Sequence, residues 1–145
     1  MENPKNIVYN YNLNPLRRGM TLSKRILIIE NDPEMREFER SVLEQAGYCV
    51  SEADNARDGI IIAQAEKPNL ILMDIRLPHK TRGIGAAKIL RKKEATRDIP
   101  IIFVSAYPAL EETKEVTNIT NCGSIIKPFS VRVFLDTIEK FISRP

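Results

Sequence analysis

Six polar side chains occur directly after apolar segments, at positions where β-strands would end. They are Glu30, Asn31, Asp32, Asp74, Ser105 and Lys127. Carboxylates that lie close together repel one another, and a divalent cation that prefers hard oxygen ligands, such as Mg²⁺, relieves that repulsion. A lysine and a hydroxyl group beside them would hold an anion. Together, these groups favour the transfer of a phosphoryl group to a carboxylate.

Each of these residues has an ordinary structural interpretation when it is taken alone. An Asp at the end of a strand commonly serves as a turn residue or a helix cap, and Asp32 directly before Pro33 has the position of an N-cap. Ser105 alone predicts nothing, and neither does a lysine before a proline. The prediction therefore depends on their joint appearance after four different strands.

Short apolar segments predict five strands, and helical patterns alternate with them. The predicted strands are Arg25–Ile29, Tyr48–Val50, Leu70–Met73, Ile101–Val104 and Ile125–Ile126. The predicted helices are one from the Asp32 cap to Gly47, one from the Asn55 cap to Lys67, one over about Ile84–Lys93, one near Leu110–Asn118 and one after the Ser130 cap. Alternation of this kind indicates βαβ units and a parallel sheet covered on both faces. Such sheets bind ligands beyond the carboxyl ends of their strands, where the six polar residues would meet.

Two of the predicted helices show apolar residues at helical spacing, which predicts the face that packs on the sheet. In the first helix these residues are Met35, Phe38, Val42 and Ala46. In the last helix they are Phe134, Leu135, Ile138, Phe141 and Ile142.

The length of 145 residues predicts one domain, and a hydrophobic fraction of 43% excludes wholesale disorder. We predict a polar N-terminal extension over residues 1–23 and one folded domain over residues 24–144. The chain ends directly after the fifth predicted helix, so we expect no output domain. No apolar run reaches the roughly 20 residues that span a bilayer, and the N-terminus lacks the apolar stretch of a secretory signal, which predicts a cytoplasmic protein.

The net charge of +3 is distributed unevenly. Residues 1–25 carry a net charge of +4, so the remaining 120 residues sum to −1. The basic run of Lys88, Arg91, Lys92 and Lys93 is interpreted as a solvated helix face. No recognition-helix motif or aromatic stacking platform accompanies it, which disfavours nucleic acid as a partner. Two cysteines, Cys49 and Cys122, form neither a disulfide framework nor a zinc quartet.

Four segments resemble the signature blocks of response-regulator receiver domains. They are Arg25–Pro33, Leu70–Pro78, Ile99–Ala106 and Lys127–Phe129, and the resemblance covers about residues 24–144. The resemblance implies a flavodoxin-like doubly wound fold, with a five-stranded parallel sheet in the order 2-1-3-4-5 and five helices.

The resemblance also implies the roles of three residues in phosphoryl transfer. Asp74 would accept the phosphoryl group from a phosphohistidine of a sensor histidine kinase or a phosphotransfer protein. Ser105 would form a hydrogen bond with the phosphoryl oxygens, and Lys127 would pair with the phosphoryl group. The matching Lys127–Pro128 peptide is expected to be cis.

A Mg²⁺ site is implied by the same resemblance, with Glu30, Asn31, Asp74 and the backbone carbonyl of Arg76 as its ligands. Asn31 departs from the family pattern because it stands where an acid is common. An amide oxygen still coordinates Mg²⁺ but lacks the formal charge, so we expect weakened metal binding.

Two further departures concern the switch and the loop after Asp74. Ser124 stands three residues before Lys127, where the family often has an aromatic ring that moves inward on activation. The loop from Asp74 to Gly83 is about one residue longer than usual, and Arg82 replaces the acid that commonly precedes the glycine.

The sequence therefore predicts a stand-alone receiver domain that binds partners under the control of phosphorylation on Asp74 and is not an enzyme in the ordinary sense. The alternative is a degenerate receiver that acts as an interaction domain without phosphorylation. A homodimer through the fourth and fifth helices is compatible with the family. A flavodoxin-type flavin site is disfavoured because acids follow the first strand, and a haloacid-dehalogenase phosphatase is disfavoured because Arg76 occupies the place of its second Asp.

Overall fold

The computed structural model describes residues 23–106 and 118–143, and it contains nine regular elements within them. The strands are β1 (Arg25–Ile29), β2 (Cys49–Ala53), β3 (Leu70–Asp74), β4 (Ile101–Ser105) and β5 (Cys122–Ile126). The helices are α1 (Pro33–Gln45), α2 (Ala56–Glu66), α3 (Gly83–Lys92) and α4 (Val131–Ile142). The helix predicted near Leu110–Asn118 lies outside the described residues except for its last position.

The five strands form one parallel sheet in the order β2-β1-β3-β4-β5, which confirms the expected order. Ile29 of β1 pairs with Met73 of β3, and Asp74 pairs with Val104 of β4. The residue after β1 and the last residues of β3 and β4 therefore lie side by side. This register places the predicted site residues at one edge of the sheet.

Polar side chains cap three of the helices, as their positions in the sequence predict. The Asp32 carboxylate accepts a hydrogen bond from the Glu34 N–H at 3.0 Å, at the start of α1. Asn55 and Ser130 cap α2 and α4 in the same way. Each cap satisfies a backbone donor that the helix itself leaves without a partner.

The two edge strands are longer than their apolar residues predict. β2 extends through Ser51 and Glu52 to Ala53, and β5 begins at Cys122 and includes Gly123. These polar or small residues have a low preference for strands, but β1 and β4 supply a complete row of backbone partners. Pairing with a neighbouring strand outweighs intrinsic preference in such positions.

Apolar side chains fill both faces of the sheet, because successive residues of a strand point to opposite sides. On one face, Leu27, Ile29 and Met73 pack beneath α2 and α3. On the other, residues of β1, β3 and β4 pack against α1 and α4. The predicted stripe of α4 is confirmed, with Phe134 and Ile138 fully buried.

The predicted buried face of α1 is partly wrong: Val42 packs against the core, but the centre of the buried face is rotated by about one residue. Glu39 and Leu43 are the buried residues of this helix, whereas Phe38 is 40% exposed. The Phe38 ring lies 6.1 Å from the ring of Phe129, which stacks on Phe134 of α4. Phe38 therefore packs against the segment before α4 at the side of the helix, while Glu39 lies on the side that faces the sheet.

The basic run on α3 is only partly a solvated face. Lys88 and Lys92 are exposed, but Arg91 donates hydrogen bonds from Nε to the Thr120 carbonyl and from Nη2 to the Asn121 carbonyl, both at 3.0 Å. Arg91 thus fastens α3 to the turn before β5. Among the described residues, no helix has the length and apolar character needed to cross a membrane.

Gly83 and Gly85 make a matched pair of glycines for a test of how closely α3 approaches β3. A Cβ atom on Gly83 would lie 2.2 Å from the backbone oxygen of Asp74, whereas one on Gly85 would contact only the Thr81 methyl group, at 3.7 Å. We expect Gly83→Ala to lower the free energy of unfolding by about 1–3 kcal/mol, because backbone atoms must shift to make room. Gly85→Ala should raise it by about 0.5–1 kcal/mol through helix preference alone.

Urea denaturation of the two variants and the parent measures this difference. A Gly83→Ala variant as stable as the parent would mean that α3 does not approach β3 so closely.

Candidate functional site

Four of the predicted site residues converge at the carboxyl edge of the sheet. Glu30 directly follows β1 and is 2% exposed, and Asp74 at the end of β3 is half-buried. Ser105 at the end of β4 is 4% exposed. Lys127 follows β5, and its backbone N–H donates to the Ser105 carbonyl at 2.7 Å. The strand register alone accounts for this proximity.

A partly buried ion pair at this edge joins Glu30, just after β1, to Lys127, just after β5. The Lys127 ammonium lies 3.1 Å from Oε1 of Glu30, and Oε2 of Glu30 accepts the Asp32 N–H at 3.0 Å. Both carboxylate oxygens of Glu30 are thereby held in place. The Lys127–Pro128 peptide is cis, as expected. Removal of one partner from such a pair leaves an uncompensated buried charge, which commonly costs about 3–5 kcal/mol.

The electrostatic environment of Asp74 makes it unlike a surface carboxylate. Burial, and then the negative charge of Glu30, raises the pKa of Asp74 to about 6. The Arg76 N–H, which donates to Oδ1 of Asp74 at 3.1 Å, and the Lys127 ammonium oppose that rise. Asp74 is therefore ionised at neutral pH, and any positive charge added nearby would further stabilise its ionised form.

Lys127 keeps its positive charge despite partial burial. Burial by itself lowers the pKa of the ammonium group, but the charges of Glu30 and Asp74 outweigh it, so the pKa of Lys127 is raised. The lysine is a permanent cation next to the Asp74 carboxylate. Such a cation neutralises an incoming phosphate oxygen without the need for proton transfer.

The remaining predicted residues form the exposed rim of the site. Asn31 and Arg76 are exposed, next to Glu30 and Asp74 in the chain. Asp32 is exposed too, and its carboxylate caps α1, which confirms the structural role that its position before Pro33 predicts. The structure thus brings Asn31 and Arg76 to the site but tests no role for them.

The donor atoms at this edge fit a hard divalent cation. Glu30 and Asp74 supply adjacent carboxylates, and Asn31 adds an amide oxygen, which are ligand types that Mg²⁺ prefers. Among residues 23–106 and 118–143, no group of three or more Asp, Glu, His or Cys side chains is arranged to hold a metal. A cation here would therefore bind to two carboxylates and to neutral oxygens.

Glu39 is an acidic residue of this region that the sequence reasoning missed. Its side chain is 1% exposed, and neither carboxylate oxygen has a hydrogen-bond partner. Burial, followed by the negative charge of Glu30, raises the pKa of Glu39 to about 8, and Lys127 opposes the rise. The signal in the sequence was its spacing of four residues before Leu43, which places both residues on one helical face.

Comparison with protein families and curated proteins gives one consistent result. The family model for the response regulator receiver domain matches residues 26–139. The chain is 31% identical over 122 residues to the polar-differentiation response regulator DivK of Brucella anthropi, covering 83% of this chain and 98% of DivK. It is 34% identical over 123 residues to the phosphate regulon transcriptional regulatory protein PhoB of Pseudomonas aeruginosa, covering 85% of this chain. The chain spans only 53% of the length of PhoB.

Solved structures show the same fold. A CheY-like response regulator receiver domain from Methanospirillum hungatei is 30% identical and superposes with a TM-score of 0.78, covering 83% of this chain and 94% of that one. The receiver domain of the sensor histidine kinase PA1611 from Pseudomonas aeruginosa is 24% identical, with a TM-score of 0.77 and coverage of 84% and 99%. That structure has a magnesium ion coordinated in its active-site cleft.

The buried carboxyl group of Glu39 predicts an unusual pH dependence of stability. Its pKa is about 8 in the folded chain, well above the ordinary value of 4.5, so the folded state binds more protons between these limits. Stability should therefore fall as the pH rises from about 5 to about 8. Glu39→Leu should remove this loss and raise the free energy of unfolding at neutral pH by roughly 2–4 kcal/mol.

Urea denaturation in the presence of a chelator, across this pH range, measures the effect. Glu37→Leu on the same helix is the control, because the Glu37 side chain is 64% exposed and pairs with Arg40. If the stability of Glu39→Leu follows that of the parent at every pH, the carboxyl group is hydrated rather than buried.

Proposed function

This chain belongs to the response regulator receiver domain family, and we propose that it acts as a phosphorylation-controlled binding module with Asp74 as the phosphoryl acceptor. The family is a signalling domain of two-component systems and not an ordinary enzyme. The observation that carries the proposal is the convergence of Asp74, Glu30, Lys127 and Ser105 at one edge of the sheet. None of these residues is near the others in sequence.

Asp74 acts as the nucleophile in this proposal. Its Oδ1 accepts a hydrogen bond from the Arg76 N–H, which fixes the orientation of the carboxylate while the side chain stays half-exposed. An oxygen of Asp74 attacks the phosphorus atom of a phosphohistidine, and the phosphorus–nitrogen bond breaks as the oxygen–phosphorus bond forms. The protein contributes mainly position and charge, as is usual in phosphoryl transfer.

Lys127 and Ser105 hold the phosphoryl group after transfer. The Lys127 ammonium already lies at the edge of the sheet, where it pairs with Glu30, and the phosphoryl oxygens would compete with that carboxylate. The Ser105 side chain, at the end of the neighbouring strand, donates its hydroxyl proton to a phosphoryl oxygen. Exchange of the Lys127 partner is the structural change that a binding partner would sense.

Glu30, Asn31, Asp74 and the backbone carbonyl of Arg76 would hold Mg²⁺. The ion, when bound, neutralises the negative charge that builds up between Asp74 and the phosphoryl group. Glu30 contributes only part of its charge to the ion, because it also pairs with Lys127. Asn31 contributes no formal charge, so binding is weaker than at a site with a third carboxylate.

A sensor histidine kinase or a phosphotransfer protein would supply the phosphoryl group. Exposed apolar side chains occur on α1 and close to Lys127 in the chain: Phe38 on α1 is 40% exposed, Ile126 is 56% exposed and Val131 is 44% exposed. The contact of Phe38 with Phe129 joins α1 to the segment after β5 into one surface. This surface lies beside the site, where a donor must dock to present a histidine to Asp74. Dimerisation through the fourth and fifth predicted helices stays a prediction.

Asp74→Asn should abolish phosphorylation. We expect the parent chain, incubated with acetyl phosphate and Mg²⁺, to gain one acid-labile phosphoryl group in intact-mass measurements, and the variant to gain none, because an amide is not a nucleophile here. Asp32→Asn is the matched control, since Asn also caps helices well and α1 should be unaffected.

If Asp32→Asn loses the label and Asp74→Asn retains it, Asp74 is not the acceptor. If the parent chain takes up no phosphoryl group, the data favour an interaction domain that works without phosphorylation.

Asn31→Asp should have opposite effects with and without Mg²⁺. In a chelator, the new carboxylate beside Glu30 should lower the free energy of unfolding by about 0.5–1 kcal/mol through repulsion. With Mg²⁺ in excess, binding about tenfold tighter should add as much as about 1.4 kcal/mol of stabilisation relative to the parent. Thermal melts of both proteins in the two buffers measure this. Equal shifts in melting temperature would show that Asn31 does not face the metal.

A further inference from the structure

Glu39 is a buried carboxyl group for which the fold has no evident use. The residue is 1% exposed, and both oxygens lack a hydrogen-bond partner. A buried polar group without a partner is costly, and an ionised one is costlier still. Its presence in the core therefore points to an interaction that the protein makes only in another state.

The position of Glu39 on α1 directs its carboxyl group towards the site. α1 begins at the Asp32 cap, at the carboxyl edge of the sheet, and Glu39 lies about two turns further along. Glu39 shares the sheet-facing side of the helix with Leu43. Side chains on a helix lean towards its N-terminus, which for α1 is the edge that carries Glu30.

The ionisation of Glu39 depends on the charges of the site residues. Glu30, Lys127, Asp74 and Asp32 all influence its ionisation, and Glu39 in turn raises the pKa of Lys127. Glu39 is thus electrostatically part of the site, although it lies below it in the core.

The site lacks one negative charge for a divalent cation. Among the predicted metal ligands, Glu30 and Asp74 are two carboxylates, and Lys127 cancels one of them, which leaves a net charge of −1. The exposed Asp32 carboxylate is left out of this sum because it caps α1. A bound Mg²⁺ would bring the local charge to +1, and the amide of Asn31 does not change that sum. One further carboxylate nearby would make the occupied site neutral, and Glu39 is such a carboxylate once it is ionised.

We propose that Glu39 is a positioning residue for Mg²⁺, whose carboxylate in the core would supply the negative charge that Asn31 lacks. This inference rests on the proposed function, because it requires a cation at the site. Glu39 acts through Glu30 and Asp74 and not as a direct ligand, in keeping with the finding that no three acidic side chains of the described residues converge on one point.

Calorimetric titration of the whole chain with MgCl₂ tests the proposal. The measurements are made at about pH 9, where the Glu39 carboxyl group is ionised before the metal is added, so that proton release does not complicate them. We expect Glu39→Gln to weaken Mg²⁺ binding about tenfold, the effect of one charge at moderate distance in a partly shielded environment. Glu37→Gln makes the same chemical change on the exposed side of α1 and should leave the affinity unchanged.

A charge-relocation variant separates this role from a purely structural one. Asn31→Asp combined with Glu39→Leu moves the carboxylate from the core to the rim, and it should restore Mg²⁺ affinity to within about threefold of the parent. Glu39→Leu alone should bind Mg²⁺ as weakly as Glu39→Gln. Circular dichroism confirms the fold of each variant.

The outcomes distinguish the two proposals. If the parent binds Mg²⁺ and Glu39→Gln binds it equally well, Glu39 has no part in the site and only this inference is overturned. If the parent binds no Mg²⁺ but Asn31→Asp does, the metal-dependent part of the proposed function fails for this chain. If the relocation variant binds as weakly as Glu39→Leu, the loss reflects packing and not charge, which also overturns the inference.

Discussion

The parallel register of β1, β3 and β4 is the constraint from which the rest of the site follows. Both faces of these strands are buried, so a shift of one residue would turn apolar side chains towards the wrong layer. The register in turn aligns the ends of the strands, with Glu30 beside Asp74 and Ser105 one position beyond. The chemistry of the site is therefore fixed by packing that lies entirely beneath it, and the polar residues themselves contribute little to the alignment.

The balance of charge between the carboxylates and Lys127 is the second constraint on the site. Carboxylates are concentrated at the edge of the sheet, and Lys127, from the last quarter of the chain, lies 3.1 Å from Glu30 and partly compensates their charge. The Lys127–Glu30 pair would change when ligands bind, because a cation would compete with Lys127 for Glu30 and a phosphoryl group would compete with Glu30 for Lys127. The raised pKa of Asp74 has the same cause. Burial and a neighbouring acid disfavour the ionised form of Asp74, and a bound cation would favour it.

Stability and function make opposing demands on α1. A leucine at position 39 would complete the apolar face that Leu43 begins, but the chain has a glutamate there, close enough to the site to interact with Glu30 and Lys127. Buried acids of this kind are costly to fold and are found where a site uses their charge. The same helix presents Phe38 to solvent beside Phe129, so the proposed docking surface and the proposed role of Glu39 belong to two sides of one helix.

Local patterns in the sequence determined the strands, the helix caps and the order in which the site residues appear. A cap such as Asp32 or Ser130 acts within one helical turn, and an apolar run such as Ile26–Ile29 predicts a buried strand wherever it is placed. These features depend on neighbours in the chain. The resemblance to a known family then supplied the strand order, which local patterns do not contain.

Only the tertiary structure decided which side of α1 faces the sheet, and how far the edge strands extend. The rotation of a helix about its axis is set by what it packs against, and here Phe38 contacts Phe129 before α4 while Glu39 faces inward. The ion pair between Glu30 and Lys127 likewise joins residues 97 positions apart. Helical spacing groups Glu39 with Leu43, but it does not decide which side of α1 packs on the sheet, and it contains no information on the ion pair. Each feature depends on the free energy of contacts between elements that are distant in sequence.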